Sequence, residues 1–293
     1  MAIIDIKNIT KDYGAGRGNF GIDLTIEQGE VLGFVGTNGA GKTTLIRQMM
    51  GFLRPNSGTV TIKGLNAWKD AAEVKHHVGY LPGEIAFPDA PTGSVFLQRQ
   101  AALLGVTDMT YANQIIQMLQ LDPTANLKRM SKGMKQKTAI AAAFMGDKEI
   151  LILDEPTTGL DPLMRRGFTQ LLNTEREKGK TIFMSTHMFE EVEDTCDRVA
   201  VIKDGKIIAI KSLVEIRRIQ DKVYKVEFTS PAHYTQFLTE RFELTERYEE
   251  KQQAFVKVND ADINHFMATL RNYEIKYISE IKYSLEQYFK NLY

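Results

Sequence analysis

Gly36-Thr37-Asn38-Gly39-Ala40-Gly41-Lys42-Thr43-Thr44 fits a phosphate-binding loop at every required position: a glycine, four free positions, then Gly-Lys-Thr. Upstream, Val31-Leu32-Gly33-Phe34-Val35 is a short apolar run suited to a buried strand, and residues 44–50 can wind a helix. The glycines therefore fall between a strand and a helix. Gly36, Gly39 and Gly41 allow successive backbone N–H groups to curl around phosphate oxygens at the positive end of that helix. Asn38, Ala40 and Thr44 complete the loop. Lys42 is placed to bridge the β- and γ-phosphates and the Thr43 hydroxyl to ligate Mg2+, so a nucleoside triphosphate with Mg2+ is the expected ligand.

A second stretch narrows the chemistry. Ile150-Leu151-Ile152-Leu153-Asp154-Glu155-Pro156 is an apolar strand ending in two adjacent carboxylates. Asp154 can hold the Mg2+ water shell, while Glu155 can point at the γ-phosphate and polarise the attacking water. A core strand that merely ends in acids is the plainer alternative. The continuation Thr157-Thr158-Gly159-Leu160-Asp161 counts against it.

With these motifs in order, residues 1–215 resemble the ATP-binding cassette (ABC) ATPases. The resemblance implies that Tyr13, in Lys11-Asp12-Tyr13-Gly14, stacks on adenine, and that Gly159-Leu160-Asp161 is the loop lining a dimer interface, with Asp161 near the nucleotide. His187, in Ser185-Thr186-His187, would contact the γ-phosphate and orient water together with Glu155, so Lys42, Glu155 and His187 form the implied catalytic set. A strand end at the carboxyl edge of a parallel sheet is where such sites lie.

Two motifs depart from the family pattern. Met130-Ser131-Lys132-Gly133-Met134-Lys135-Gln136-Lys137 stands where the family shows Leu-Ser-Gly-Gly-Gln. Ser131 and Gly133 keep the positions implied to cap the γ-phosphate held by the other subunit, at the start of a helix. Lys132 either adds positive charge near the phosphates or faces solvent. After Val78-Gly79-Tyr80-Leu81-Pro82, where the family carries a glutamine, this chain has Gly83-Glu84. Either Glu84 helps the metal, or Thr43, Asp154 and water suffice.

Composition bounds the rest. With 43% hydrophobic and 25% charged residues, the 293-residue chain falls among globular proteins long enough for two domains. No run approaches the roughly 18 apolar residues of a membrane-spanning helix, and the start Met1-Ala2-Ile3-Ile4-Asp5 lacks the features of a secretory signal. The lone Cys196 is expected to be a reduced thiol, favouring the cytosol. Balanced charge, 37 basic and 37 acidic residues, gives no steering toward nucleic acid.

The expected fold is α/β: an N-terminal antiparallel β portion, a helical insertion at about 85–145, and a return to strands and helices that ends in a hairpin about Asp204-Gly205. Within the insertion, 92–104 and 110–121 have helical apolar spacing. From 216 to 293 the order strand-helix-strand-strand-helix-strand reads as a ferredoxin-like α+β unit. There Asp260 is the expected cap of a helix whose apolar face is Ile263, Phe266, Met267 and Leu270, and a tail with Leu285, Phe289 and Leu292 follows. That unit fits a sensor, a dimerisation surface, a brake on hydrolysis or a purely structural role equally well.

The resemblance implies a two-fold dimer, of this chain or with a paralogue, that drives a separately encoded integral-membrane permease from the inner face of the cell membrane. Phe87, Phe96 and Leu97 are candidates for the permease-gripping groove, or core residues. The two departures and the C-terminal extension look most like bacterial drug, bacitracin-type or lantibiotic-type exporter ATPases. The alternative is a soluble ABC ATPase, an iron–sulfur scaffold or a ribosome-acting factor. A metabolite kinase is excluded by the Ser131–Gly133 motif and by Glu155 paired with His187.

Overall fold

The computed structural model describes residues 2–217, 221–281 and 285–289. It divides into two compact units, Met1–Leu213 and Val214–Tyr293. Among the described residues no helix is long and apolar enough to cross a membrane.

The first unit opens with strands β1 (Ala2–Asp12), β2 (Gly18–Glu27) and β3 (Val31–Val35), followed by helix α1 (Lys42–Met49). Strands β4 (Ser57–Ile62) and β5 (Leu65–Asn66), helix α2 (Ala71–His77) and strand β6 (Val78–Leu81) come next. Then the chain enters helices α3 (Gly93–Leu104), α4 (Thr110–Met118) and α5 (Lys132–Phe144). Thr92 caps α3 by accepting from Val95 N–H, and Gly105 ends it in the left-handed conformation, so both limits of that helix have local causes. The unit closes with β7 (Ile150–Asp154), α6 (Pro162–Glu177), β8 (Thr181–Thr186), α7 (Phe189–Thr195), β9 (Arg198–Lys203) and β10 (Lys206–Ser212).

These strands make two sheets. One is antiparallel, in the order β2-β1-β4-β5; the other has six strands in the order β10-β9-β3-β8-β7-β6. In the second, β3, β6, β7, β8 and β9 pair in parallel, and only β10 is antiparallel. Every residue of β3, β7 and β8 is buried, as expected for strands covered on both faces. The Asp204-Gly205 turn between β9 and β10 has φ of 48° and 73°, the two left-handed positions of a tight hairpin. Leu45, Ile46 and Met49 of α1 share one buried cluster with Ile4, Ile6 and Ile62 of the antiparallel sheet and Phe34, Ile152 and Phe183 of the parallel one. Burying each such side chain contributes about 1.5–3 kcal/mol. The phosphate-loop helix is thus clamped between the sheets.

After α8 (Leu213–Arg217), the second unit runs β11 (Asp221–Phe228), α9 (Pro231–Phe237), β12 (Glu243–Tyr248), β13 (Gln253–Asn259), α10 (Ile263–Leu270), β14 (Ile275–Ile281) and α11 (Leu285–Phe289). Its sheet is antiparallel, in the order β12-β13-β11-β14, the split β-α-β arrangement. Two expectations are corrected here. Asp260 does not cap α10. Asn259 caps a single 3-10 turn at 260–262 by accepting from Ala261 N–H at 3.0 Å, because its side chain reaches the first free donor. Met267 is exposed while Phe266 and Leu270, one turn apart, face the core. Leu285 and Phe289 are buried, and Leu292 lies outside the described residues.

Candidate functional site

The phosphate loop leaves the end of β3 at the middle of the six-stranded sheet. Gly39 and Gly41 have φ of 84° and 108°, backbone that side-chain-bearing residues rarely adopt. A Cβ on Gly41 would also lie 2.5 Å from Asn19 Nδ2, and one on Gly36 2.6 Å from the Ile202 carbonyl. Asn19 is fully buried. Its Nδ2 donates to the Gly41 carbonyl at 3.1 Å, and its Oδ1 accepts from Gln48 Nε2 at 2.9 Å, tying the loop to β2 and α1. Gly205 N–H donates to the Ala40 carbonyl at 3.0 Å, so the β9–β10 turn holds the loop from the other side. Thr43 and Thr44 are half-buried in the first turn of α1, while Asn38 and Gly39 are exposed at the loop tip.

Lys42 is 5% exposed, and its Nζ donates to the carbonyls of Gly36 at 2.7 Å and Thr37 at 3.2 Å. It also pairs with Glu155 Oε1 at 3.1 Å. Glu155 follows β7 with φ of 48°, a left-handed conformation held by two bonds from its N–H to Ser185 O and Oγ, each 3.1 Å. Strained backbone of this kind collects at functional sites. Glu155 Oε2 accepts from Thr158 Oγ1 at 3.2 Å and lies 3.0 Å from His187 Nδ1. An ionised carboxylate only accepts, so Nδ1 carries the proton. Burial raises the Glu155 pKa, but hydrogen bonding and charge from Lys42, then from His187, outweigh it and leave the carboxyl below its usual range.

Asp154 is fully buried at the end of β7. Oδ1 accepts from Ser185 Oγ at 2.6 Å, while Oδ2 has no hydrogen-bond partner. An orphaned buried carboxylate oxygen is costly unless a cation meets it. Gly83 faces the same carboxylate, where an added Cβ would sit 2.9 Å from Oδ2, so glycine at that position leaves the carboxylate room. Glu84, next to it, is exposed and has no hydrogen-bond or ion-pair partner among the described residues.

Gly133 and the Lys132 stem approach Gly159, which brings the start of α5, with Ser131, to the segment that carries Asp161. Ser131 caps α5, its Oγ accepting from Met134 N–H at 3.2 Å, and Asp161 caps α6, its Oδ1 accepting from Met164 N–H at 2.9 Å. A Cβ on Gly133 would lie 2.9 Å from the Gly159 carbonyl, which accounts for glycine there. The Lys132 stem runs across Gly159, 3.1 Å from where a Cβ would stand. Gln136 Nε2 donates to the Pro156 carbonyl at 2.7 Å and links this group to the Glu155 segment. Tyr13 is 51% exposed in the turn between β1 and β2.

Lys42, Asp154, Glu155 and His187 therefore converge, and Ser131, Gly133 and Asp161 form a second group. Asn19, Gln48, Ser185, Thr158 and Gln136 were not anticipated from the sequence. They are ordinary polar residues and, Thr158 apart, lie 20 or more positions from the residues they hold. Phe96 and Leu97 are buried and serve the core rather than a groove. Phe87 packs edge-on against Phe96, with ring centroids 4.7 Å apart, and lines a cleft of about 310 Å3 with Ile85, Asp89, Lys128 and Lys135. Burial pushes the Cys196 thiol up to about 12, so it stays protonated and inert.

Residues 20–158 match the family described as "ABC transporter". The chain is 30% identical over 259 residues to the bacitracin transport ATP-binding protein BcrA of Bacillus licheniformis, covering 87% of this chain and 84% of that one. It is 38% identical over 212 residues to the ABC transporter ATP-binding protein NatA of Bacillus subtilis, covering 69% and 86%. With the linearmycin resistance ATP-binding protein LnrL of Bacillus subtilis it shares 33% over 219 residues, covering 73% and 70%. A solved ATP-binding subunit of an ABC transporter superposes with a TM-score of 0.66 at 28% identity, over 74% of this chain and 92% of that one. The dimeric MJ0796 cassette shares the fold, with a TM-score of 0.64 at 23% identity over 72% and 98%. The chain belongs to the ATP-binding subunits of ABC transporters and is an ATPase of that family.

Proposed function

We propose that this ATPase energises export through a separately encoded integral-membrane permease, working as a two-fold dimer on the inner face of the cell membrane. The carrying observation is the extent of the likeness to BcrA. Its 259 residues exceed the 213 of the first unit, so the resemblance to a bacitracin transport protein runs past the ATPase core.

In this reading the phosphate loop and Lys42 bind the triphosphate, and Tyr13 stacks on the base. Asp154 Oδ2 and the Thr43 hydroxyl would hold Mg2+, with exposed Glu84 free to add its carboxylate; the partnerless Oδ2 supports that fit. When bound, Mg2+ supplies charge that polarises the phosphoryl oxygens. Among the described residues no group of three or more His, Cys, Asp or Glu side chains could hold a metal, in keeping with a cation shared with phosphate and water. Glu155, ionised at neutral pH, accepts the proton of the attacking water, and His187, hydrogen-bonded to it, fixes its orientation.

Ser131 and Gly133 act on the nucleotide of the partner protomer, so each site joins the Lys42 group of one protomer to the Ser131 group of the other. The partner protomer is a second copy or a paralogue. Light scattering on Glu155→Gln with and without Mg-ATP tests this: a doubled mass supports the dimer, and an unchanged mass with nucleotide bound overturns it. For the permease, retention in the membrane fraction through a high-salt wash supports transport. Complete release would favour a non-transport ATPase.

A further inference from the structure

Glu191 lies on α7, four residues beyond His187, and its two carboxylate oxygens are taken by two different segments. Oε1 accepts from Thr157 Oγ1, two residues after Glu155. Oε2 accepts at 2.6 Å from Thr186 Oγ1, immediately before His187. The same Thr186 oxygen accepts Met188 N–H at 3.0 Å, just after His187. Thr157 and Thr186 are 7% and 2% exposed, so both bonds are sheltered from water. Thr195 Oγ1 donates to the Glu191 carbonyl and pins the helix that carries it.

Sheet pairing aligns β7 and β8 as far as Asp154 and Ser185. Beyond that point β7 has ended and Thr186, the last residue of β8, pairs only with Val35 of β3, so Glu191 bridges the two segments where their own pairing stops. The Glu155 carboxylate has three holders, Lys42, His187 and Thr158. Once Lys42 turns to a phosphate, His187 and Thr158 remain, and both belong to the segments that Glu191 ties.

We infer that Glu191 is a positioning residue that sets the separation of Glu155 and His187 while nucleotide is bound. The inference rests on the roles given above to that pair. Glu191 touches no reacting atom; it acts through the two threonines.

The test compares single-turnover hydrolysis and nucleotide affinity of the full chain as Glu191→Ala, Glu191→Gln, His187→Ala and Glu155→Gln. Glu191→Ala should slow hydrolysis about 10- to 100-fold, since a 1 Å misplacement can cost that much, with affinity for ATP within about twofold of the parent. Glu191→Gln, which keeps an acceptor for one threonine, should recover part of the rate. The double variant with His187→Ala should be no slower than His187→Ala alone, because residues acting as a unit do not add. Parent-like turnover in Glu191→Ala, or equal losses of rate and ATP affinity, would overturn the inference. Parent-like turnover in Glu155→Gln would instead overturn the assignment of the pair on which it stands. If Glu191→Ala does not fold, Thr157→Val and Thr186→Val each remove one side of the tie, and the same rate-only loss is expected of them.

Discussion

Lys42 Nζ lies 3.1 Å from Glu155 Oε1, so the ammonium of the phosphate loop and the carboxylate after β7 neutralise one another. The other bonds of that ammonium go to the Gly36 and Thr37 carbonyls, at 2.7 and 3.2 Å. With its three donors engaged, Lys42 must give up a partner to reach a phosphate, and Glu155 is the one that lies outside the phosphate loop, just after β7. In the proposed cycle, nucleotide binding and release of Glu155 are then one event.

Replacing Lys42 by Ala should weaken ATP binding about 10- to 100-fold, the worth of a charge-assisted bond of about 1.5–3 kcal/mol. It should also raise the Glu155 pKa, because burial alone pushes that carboxyl up. Titration calorimetry with ATP, and infrared titration of the carboxyl, would read the two effects; intact affinity would contradict the role given to Lys42.

Glu155→Gln keeps the side-chain shape but removes the proton acceptor. Hydrolysis should fall by about 10²–10⁴-fold, the contribution of a positioned general base, while ATP is still bound. Phosphate release measured beside nucleotide binding separates the two.

Gly83→Ala brings a methyl group to within 2.9 Å of Asp154 Oδ2 and should raise the Mg2+ concentration needed for hydrolysis, leaving Mg2+-free nucleotide binding intact. Glu84→Ala should raise the same requirement if its carboxylate joins the metal. An unchanged Mg2+ titration would remove Glu84 from the site.

Elsewhere in the first unit, Glu175 of α6 is fully buried and accepts from Tyr111 Oη of α4 at 2.6 Å and from Lys178 Nζ at 2.7 Å, with buried Lys180 paired to its other oxygen. Burial raises the Glu175 pKa, but hydrogen bonds from Lys178, Lys180 and Tyr111 outweigh it, so the folded value lies below the ordinary 4.5. The sign follows: this cluster stabilises the fold above 4.5, and its contribution is lost as pH falls through the lower folded value. Glu175→Gln leaves buried Lys180 with Asp147 as its remaining carboxylate partner, at 2.5 Å, and should cost about 1.5–3 kcal/mol at neutral pH. Thermal melts should show the gap between parent and variant closing on acidification, and a constant gap would refute this account.

The chemistry that resides in contiguous residues was readable directly. The phosphate loop needs a particular backbone path over nine positions, and glycine is the residue that permits it at Gly39 and Gly41. Strands β3 and β7 were equally plain, because burial on both faces demands an unbroken apolar run. The Asp204-Gly205 hairpin followed from turn geometry alone. Local reasoning did not decide between neighbouring acids or between two roles for one side chain. Asp262, not Asp260, takes the N-cap position of α10, after the turn that Asn259 caps, and Phe96 and Leu97, open between groove and core, lie in the core.

What joins distant parts of the chain has no local signature. Strand order places β8 between β3 and β7, and only that order brings His187 beside Glu155. The Asn19 bond to Gly41, the approach of Gly83 to Asp154, and the Glu191 bridge between Thr157 and Thr186 likewise depend on which elements pack together. Residue types and spacing therefore specify the candidate groups, whose demands are met by neighbouring backbone. Their alignment is a property of packing, in which hydrogen-bond partners are chosen by distance in space and not along the chain.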